Sequence, residues 1–333
     1  MKRALVGLVA IPLLAAGLAA CTPSPSPSTP TPQRPLSSLP HIELIAPLNS
    51  SYYWDAVKAG ALAAAKDREV NVSFNGPTEA GDVEGELNLL RAALGHGLVG
   101  IGIAPPLEGM EEVAAALVSA KAAGTPVVSI DRPVAGSDVP ITTVMSNNPW
   151  IGEQTARRLI PLIGSKGQVV IVTNDADPAA SDRAKAFGDY LKKNAANVKF
   201  ATTDVKAADR ASAKTATAGV LSGGSAPAAI YATTGDLTLG VADAVKAAGK
   251  SAGKVIIVGA DADPDEVKLV KDGTIAGAFA QNPFNIGYQT VVLLVEATKG
   301  NLPTTKTFMS DAVWYTKDNL DTAAVTHIIN PTT

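Results

Sequence analysis

The residues best suited to contact a small molecule are charged, amide and aromatic side chains near the ends of short apolar runs. Asp131-Arg132 follows the run at 126–130, and Asp261 follows the run at 254–258. Carboxylates accept hydrogen bonds from hydroxyls and guanidinium groups donate them, each desolvated charge-assisted bond contributing about 1.5–3 kcal/mol, while aromatic rings cover the C–H face of a sugar. These types predict a site that binds a hydroxyl-rich solute without reacting with it. The predicted set is Tyr53, Trp54, Asp131, Arg132, Arg183, Thr234, Asp261 and Gln281.

Further polar residues near the ends of apolar runs are secondary candidates for the same site: Asn49, Ser51, Tyr52, Asn174 and Asp175. The string Asp-Ala-Asp-Pro occurs at 175–178 and again at 261–264. Its second aspartate, Asp177 or Asp263, is predicted to cap a helix, because proline favours the first helical position. The first aspartate of each string lies nearer the preceding strand and is freer to face a cleft.

The primary candidates have structural alternatives that the sequence leaves open. Asp131-Arg132 could form a surface ion pair or a helix cap, and Arg183 could be a solvated charge on a helix. Trp54 recurs with Val57 and Ala61 at helical spacing, which also suits a core position. No catalytic residue, metal or cofactor is predicted: the three histidines are scattered, and Glu266 stands where a calcium loop would need glycine.

Short runs rich in β-branched residues predict the strands that position these side chains. The predicted strands are 42–46, 70–74, 98–103, 126–130, 168–173, 198–202, 228–232, 254–258 and 275–279. Two series recur at helical spacing between them: Trp54, Val57, Ala61 and Ala64, and Ile151, Thr155, Leu159 and Leu162. Apolar strands separated by helices indicate parallel sheets covered on both faces, and the series is too long for one sheet. We therefore expect an α/β fold with two doubly wound, Rossmann-like lobes, whose ligand binds beyond the carboxyl ends of the strands.

The overall composition excludes several classes of protein. The 333 residues are 46% hydrophobic, which excludes a disordered chain, and the net charge of −3 argues against a nucleic-acid partner. A single cysteine cannot form an intramolecular disulfide. Disulfide scaffolds and zinc enzymes are therefore not expected.

The amino terminus has the pattern of an export signal. Lys2 and Arg3 precede an apolar run at 5–20 that is shorter than the roughly 20 residues of a membrane-spanning helix. The end of this run, Leu-Ala-Ala-Cys at 18–21, resembles the lipobox of bacterial lipoproteins, in which Cys21 would carry diacylglycerol. A tract rich in proline, serine and threonine follows. We predict a signal peptide at 1–20, a lipidated tether at 21–40 and a location on the outer face of the cell membrane; ordinary cleavage that leaves a free thiol is the alternative.

Five short stretches together resemble the ribose/galactose-type periplasmic binding proteins of sugar ABC transporters. They are Ser-Tyr-Tyr-Trp-Asp at 51–55, Ser-Ile-Asp-Arg at 129–132, Asp-Arg at 182–183, Gly-Ala-Asp at 259–261 and Ala-Gln-Asn-Pro at 280–283. The resemblance implies a type I periplasmic binding protein fold whose chain crosses between lobes near 146–148, 281–284 and 308–311. The implied lobes are 41–146 with 283–308, and 147–282 with 309–333.

The same resemblance implies a function for the candidate residues. Tyr53 and Trp54 would lie on the sugar face, and the charged candidates would bind the sugar hydroxyls from both lobes. The implied protein is a monomer that binds a sugar or polyol and delivers it to an ABC transporter permease, with no cofactor and no enzymatic activity. Its contact with the membrane would be the lipid anchor alone.

Three positions depart from the family pattern. Ala104 and Thr234 stand where ribose binders usually have asparagine, and Ala208 stands where they have an aromatic residue near the hinge. A site built to pair a particular hydroxyl discriminates strongly, so these losses predict a ligand other than ribose.

Other functions are compatible with parts of the sequence. Asp131 and Asp261 could be the acid and base of a glycoside hydrolase, although Arg132 would keep a neighbouring carboxylate ionised rather than make it an acid. A sugar-responsive repressor shares this fold but would need a helix-turn-helix in front. The ligand could also be a non-sugar polar solute, and the partner a sensor instead of a permease.

Overall fold

The computed structural model describes residues 39–223, 226–249 and 255–330. The predicted signal peptide, Cys21 and nearly all of the predicted tether lie outside these residues. Within them, none of the helices combines the length and the apolar character needed to cross a bilayer.

The described residues form twelve strands and ten helices. In chain order they are β1 (His41–Ile45), α1 (Tyr52–Arg68), β2 (Asn71–Asn75), α2 (Val83–Leu94), β3 (Gly100–Ile103), α3 (Met110–Ala122), β4 (Val127–Ile130), β5 (Thr142–Ser146), α4 (Asn148–Leu162), β6 (Gly167–Thr173), α5 (Pro178–Asn194), β7 (Val198–Asp204), α6 (Arg210–Ser222), β8 (Ala229–Ala232), α7 (Gly235–Ala247), β9 (Ile256–Ala260), α8 (Pro264–Lys271), β10 (Gly277–Gln281), α9 (Pro283–Thr298), β11 (Thr307–Ser310), β12 (Ala312–Tyr315) and α10 (Ala323–Ile329).

These strands form two sheets with the same topology. The first has the order β11-β5-β4-β3-β1-β2 and is parallel throughout. The second has the order β12-β10-β9-β8-β6-β7 and is parallel except for β12. The predicted α/β architecture is therefore confirmed, with the third, fourth and fifth strands of each half in equivalent places.

Each sheet is covered on both faces by helices and forms one lobe. In the first lobe, α1 and α9 pack on one face and α2 and α3 on the other. In the second lobe, α4 and α5 pack on one face, and α6, α7, α8 and α10 on the other. Central strands buried on both faces explain the continuous apolar runs in the sequence.

The prediction of individual elements was incomplete. The nine predicted strands are present with shifted ends; one of them began at Lys254, which lies outside the described part of the chain, and the strand there is β9. Strands β5, β11 and β12 were not predicted.

The inward position expected for Leu162 was wrong, because this side chain in the last turn of α4 is 48% exposed, whereas Ile151, Thr155 and Leu159 are buried.

The chain crosses between the lobes three times, at Asn147, Asn282 and Asp311. Ser146 Oγ donates a hydrogen bond to Gln281 Oε1 at 2.7 Å and so joins the first crossing to the second. Asn282 Nδ2 donates to Asp311 Oδ1 at 2.9 Å and joins the second to the third. Because β11 extends through residue 310, the chain leaves the first sheet two residues after the boundary expected at 308.

Two glycines allow α1 and α9 to pack backbone to backbone, although these helices lie more than 200 residues apart in the sequence. A Cβ atom on Gly60 would overlap the backbone carbonyl of Phe284, and one on Gly287 would overlap that of Val57. The rigid contact fixes the amino end of α1, which carries Tyr53 and Trp54, against the helix that starts at the second crossing.

Gly287→Ala should destabilise the protein by about 1–3 kcal/mol, because the added methyl group meets backbone that cannot move away. Gly219→Ala is the matched control: a Cβ atom added to this glycine of α6 would meet no atom within 4 Å, and the variant should gain about 0.5–1 kcal/mol in helix propensity. Chemical denaturation of both variants measures the difference. Equal stability of the two variants would contradict the close packing of α1 on α9.

Candidate functional site

A cavity of about 270 Å³ lies between the lobes, beyond the carboxyl ends of both sheets. Pockets for drug-sized ligands usually measure roughly 300–1,000 Å³, so this cavity suits a small solute. All eight primary candidates line it. The complete lining is Tyr53, Trp54, Asp131, Arg132, Asp177, Ala179, Arg183, Ala208, Thr234, Gly235, Asp236, Asp261 and Gln281.

Asp131 is the central acceptor of the first lobe. It directly follows β4 and has a φ of 66°, a left-handed conformation that costs a non-glycine residue of order 1–3 kcal/mol. Its backbone N–H donates to Val144 O at 2.8 Å, which continues the pairing with β5. Tyr53 Oη donates to Oδ1 at 2.8 Å, and Arg132 Nη2 donates to Oδ2 at 2.9 Å. The carboxylate is therefore held in one orientation at the cleft.

Asp261 occupies the equivalent position in the second lobe. It follows β9, has a φ of 80°, and donates its backbone N–H to Phe279 O at 2.8 Å. Oδ2 accepts from the backbone N–H of Gly235 at 2.8 Å, and Oδ1 accepts from Gln281 Nε2. Each lobe thus places one pre-oriented carboxylate at the same strand end.

Arg183 is a buried cation at the cleft, with 2% of its surface exposed. Its Nε donates to Asn148 Oδ1 at 2.9 Å, and Nη1 donates to Thr233 O at 2.8 Å. A Cβ on Gly152 of α4 would overlap the Arg183 carbonyl, so α4 and α5 pack closely at this point. Because the guanidinium is buried among these contacts, the alternative of a solvated surface charge is wrong.

The two aromatic candidates meet edge to face, with ring centroids 5.0 Å apart and an interplanar angle of 88°. Trp54 is 8% exposed and belongs to the core of the first lobe, but part of it also lines the cavity. Burial, together with the charge and the hydrogen bond of Asp131, raises the pKa of Tyr53 well above its usual value. Tyr53 therefore remains a hydroxyl donor to Asp131 over the physiological pH range.

Other charges in the cleft influence one another across the two lobes. Burial lowers the pKa of Arg132, but the nearby carboxylates of Asp131 and Asp177 outweigh this effect and raise it. Burial raises the pKa of Asp177, and Arg132 opposes the rise. Burial and the charge of Asp261 raise the pKa of Asp236.

The secondary candidates do not line this cavity. Ser51 caps α1 by accepting a hydrogen bond from the Trp54 N–H at 3.2 Å. Tyr52 Oη donates to Ile329 O at 3.3 Å and packs against the core of the second lobe. Asn49 has an exposed side chain in the loop before α1.

In the first Asp-Ala-Asp-Pro string, the aspartate that lines the cavity is the second one and not, as expected, the first. Asp175 is exposed and does not line the cavity, while Asn174 Oδ1 accepts from the N–H groups of Ala176 and Asp177. Asp177 caps α5 as predicted, by accepting from Ala179 N–H at 3.0 Å, yet it also lines the cleft. The backbone path of this loop, which the string alone does not show, decides which carboxylate faces the cavity.

Sequence reasoning also missed Asp236 as a lining residue. It lies in the first turn of α7, two residues after Thr234, and this spacing was the available signal.

Of the positions that depart from the family pattern, Ala208 lines the cavity, whereas Ala104 is buried in the first-lobe core. Within the described residues, no group of histidine, cysteine, aspartate and glutamate has the arrangement of a metal site.

A family model described as a periplasmic binding protein domain matches residues 42–302, and the chain belongs to this family. The D-allose-binding periplasmic protein of Escherichia coli is 29% identical over 75% of this chain and 82% of its own length. The ribose import binding protein of Haemophilus influenzae is 31% identical over 57% of this chain and 63% of its own length. These relatives are binding proteins for transport and not enzymes, as the sequence predicted.

Solved structures agree with the fold. A carbohydrate transporter solute binding protein from Agrobacterium radiobacter, in complex with D-arabinose, has a TM-score of 0.78 and 25% identity, covering 88% of this chain and 99% of that one. A solute binding protein from Agrobacterium vitis, bound to α-D-tagatopyranose, has a TM-score of 0.77 and 25% identity over 87% and 99% of the two chains. The predicted type I periplasmic binding protein fold is therefore confirmed.

A buried acid in the first lobe generates a pH-dependent prediction. Glu86 of α2 is 1% exposed, and its Oε1 has no hydrogen-bond partner within the described residues. Burial raises its pKa from 4.5 to about 8, and Arg132 opposes the rise. Because the folded state holds this proton more tightly than the unfolded state, stability from this group is lost as pH rises from about 4.5 to 8.

Glu86→Gln should remove this loss, so its stability relative to the unchanged protein should improve between pH 5 and pH 8, the window set by the pKa of about 8. We expect a gain of about 1–3 kcal/mol at the upper end, because the neutral glutamine avoids the ionisation of a buried carboxyl. Chemical denaturation of both proteins at each pH measures this gain in stability. Glu84→Gln, on the exposed face of α2, is the control and should change stability by less than about 0.5 kcal/mol at either pH. A Glu86→Gln gain that is independent of pH would contradict the buried-acid assignment.

Proposed function

We propose that the chain is the extracytoplasmic solute-binding component of an ABC importer, which binds a monosaccharide or a similar small polyol and delivers it to a permease. The cavity supports this proposal best, because it combines carboxylates, guanidinium groups and aromatic rings from both lobes in a space of about 270 Å³. Hydroxyl groups both donate and accept, and they match such a lining better than an apolar solute does.

The named relatives support the sugar class. Allose and ribose appear in the names of two relatives, and D-arabinose is bound in a structure with the same fold. The exposed Ala208 leaves the cleft without an aromatic side chain at this position. We therefore propose a sugar other than ribose, one whose ring is not stacked from the Ala208 side.

The proposed mechanism is ligand-stabilised closure of the two lobes. Asp131 and Arg132 would bind the solute from the first lobe, and Arg183 and Asp261 from the second. A solute that contacts both lobes lowers the free energy of the closed state relative to the open state by its differential affinity. The three crossings would act as the hinge, and the closed form would be the one that the permease recognises.

We also propose that the protein is a lipid-anchored monomer on the outer face of the membrane. The lipobox-like end of the apolar run, the position of Cys21 and the proline-rich tract after it support the anchor. The tether would leave the two lobes free to close while they remain near the permease.

A thermal-shift panel of pentoses, hexoses and polyols tests the binding class, because a ligand that binds only the folded state raises its stability. At least one sugar should raise the melting temperature, and the affinity should then be measured by calorimetry. The absence of a shift with every sugar and polyol of the panel would contradict the proposal.

For that sugar, Asp261→Asn should weaken binding by roughly 10- to 150-fold, since one charge-assisted hydrogen bond contributes about 1.5–3 kcal/mol. Asparagine tolerates the left-handed backbone, so the loop should keep its conformation. Asp175→Asn is the matched control, because Asp175 is the first aspartate of the other Asp-Ala-Asp-Pro string and does not line the cavity. If both variants bind the sugar with equal affinity, the assignment of Asp261 to the binding site is contradicted.

Metabolic labelling with a tagged fatty acid tests the anchor. The unchanged protein should be labelled and should partition with membranes, whereas Cys21→Ser should be unlabelled and released, because the thiol carries the lipid. Labelling of both forms would place the modification elsewhere and contradict the anchor.

A further inference from the structure

The cleft has an unequal number of negative and positive side chains. Four carboxylates and two guanidinium groups line the same cavity, an excess of two negative charges when all six are ionised. They are Asp131, Asp177, Asp236 and Asp261, and Arg132 and Arg183. A solute that enters this space therefore meets a negative potential unless the positive groups are directed toward it.

Both guanidinium groups are already bound to acceptors of the protein. Arg132 pairs with Asp131 at 2.9 Å. Arg183 uses Nε for the Asn148 side chain and Nη1 for the Thr233 carbonyl. Arg132 is therefore paired with a carboxylate, whereas Arg183 keeps its positive charge, because both of its acceptors are neutral oxygens.

Two of the carboxylates form neither an ion pair nor a hydrogen bond with another side chain that the structure describes. Asp177 accepts one backbone hydrogen bond, and Asp236 accepts none from the donors that the structure describes. Neither forms an ion pair with another described residue. They follow β6 and β8, which are neighbouring strands, so they lie on the same side of the cleft.

A buried acid behind the cavity wall provides an independent observation. Glu266 of α8 is fully buried, and neither of its carboxyl oxygens has a hydrogen-bond partner in the described part of the chain. Its Oε2 lies 3.4 Å from where a Cβ would stand on Gly235, a residue of the cavity lining. Burial, followed by the charges of Asp261, Asp263 and Asp236, raises the pKa of Glu266 well above its usual value. Glu266 therefore holds its proton and adds no negative charge of its own, but the carboxylates of Asp261 and Asp236 that raise its pKa give this wall a negative potential.

We infer that the cleft selects its solute by charge, taking a monosaccharide or polyol that bears an amino group and rejecting acidic sugars. The inference rests on the proposed function and narrows its solute class. An ammonium group has three donors and no acceptor, which complements Asp177 and Asp236. An acidic solute would add a negative charge to a cavity whose carboxylates already outnumber its guanidinium groups, an arrangement that discriminates by repulsion.

Calorimetry with two matched sets of sugars tests the inference on the full-length protein in detergent. The sets are glucose, glucosamine and glucuronate, and galactose, galactosamine and galacturonate, at about pH 6, where the amino groups are cations. In at least one set, the amino sugar should bind at least about tenfold more tightly than the neutral sugar, and the acid about tenfold more weakly. Added salt should reduce the difference.

Asp177→Asn and Asp236→Asn should each remove most of this preference, measured as the ratio of amino-sugar to neutral-sugar affinity within the same variant. Asparagine still caps α5, so Asp177→Asn changes the charge more than the fold. Asp263→Asn is the matched control, because Asp263 caps α8 in the other Asp-Ala-Asp-Pro string with a hydrogen bond to the Asp265 N–H at 2.8 Å and does not line the cavity. It should keep the preference.

The outcomes separate the two proposals. A neutral or acidic sugar that binds as tightly as its amino counterpart in both sets overturns charge selection and leaves sugar binding in place. Absence of binding by all six sugars also overturns charge selection, and the wider thermal-shift panel then decides separately whether sugar binding stands. The control variant provides a further test. If Asp263→Asn removes the preference as completely as the two cleft variants do, the assignment of charge selection to Asp177 and Asp236 is overturned.

Discussion

The architecture of the cleft depends on keeping carboxylates in fixed orientations while they are partly withdrawn from water. A carboxylate loses much of its hydration on burial and must regain it from protein donors. Asp131 receives these donors from Tyr53 and Arg132, and Asp261 receives them from Gly235 and Gln281. The strained backbone at both aspartates is maintained because the same residues also continue the pairing of their strands. A solute thus meets acceptors that need little reorganisation.

The cavity and the crossings between the lobes share side chains, which would connect binding to the proposed closure. Gln281 donates to Asp261 in the cleft and accepts from Ser146 at the first crossing. Arg183 lies in the cleft and donates to Asn148, the first residue of the helix after that crossing. A change in the position of either cleft residue therefore alters hydrogen bonds at the first crossing between the lobes.

The sequence predicted the central strands because they are buried on both faces and therefore apolar along their length. β5 was missed because three of its five residues are threonine or serine, and β12 because it is a short antiparallel edge strand. All eight primary candidates share the cavity, since strand ends converge in parallel sheets. The choice between Asp175 and Asp177 depends on the backbone conformation of a loop, and the sequence pattern carries no signal for it.

The close packing of α1 on α9 also constrains the order in which the chain can mature. Ribosomal synthesis and membrane translocation proceed from the amino terminus, and α9 ends only at Thr298. The core between α1 and its sheet thus stays open to solvent until nearly the whole polypeptide has emerged, including most of the second lobe. A nascent first lobe would expose apolar surface throughout this interval, which favours aggregation until α9 is available.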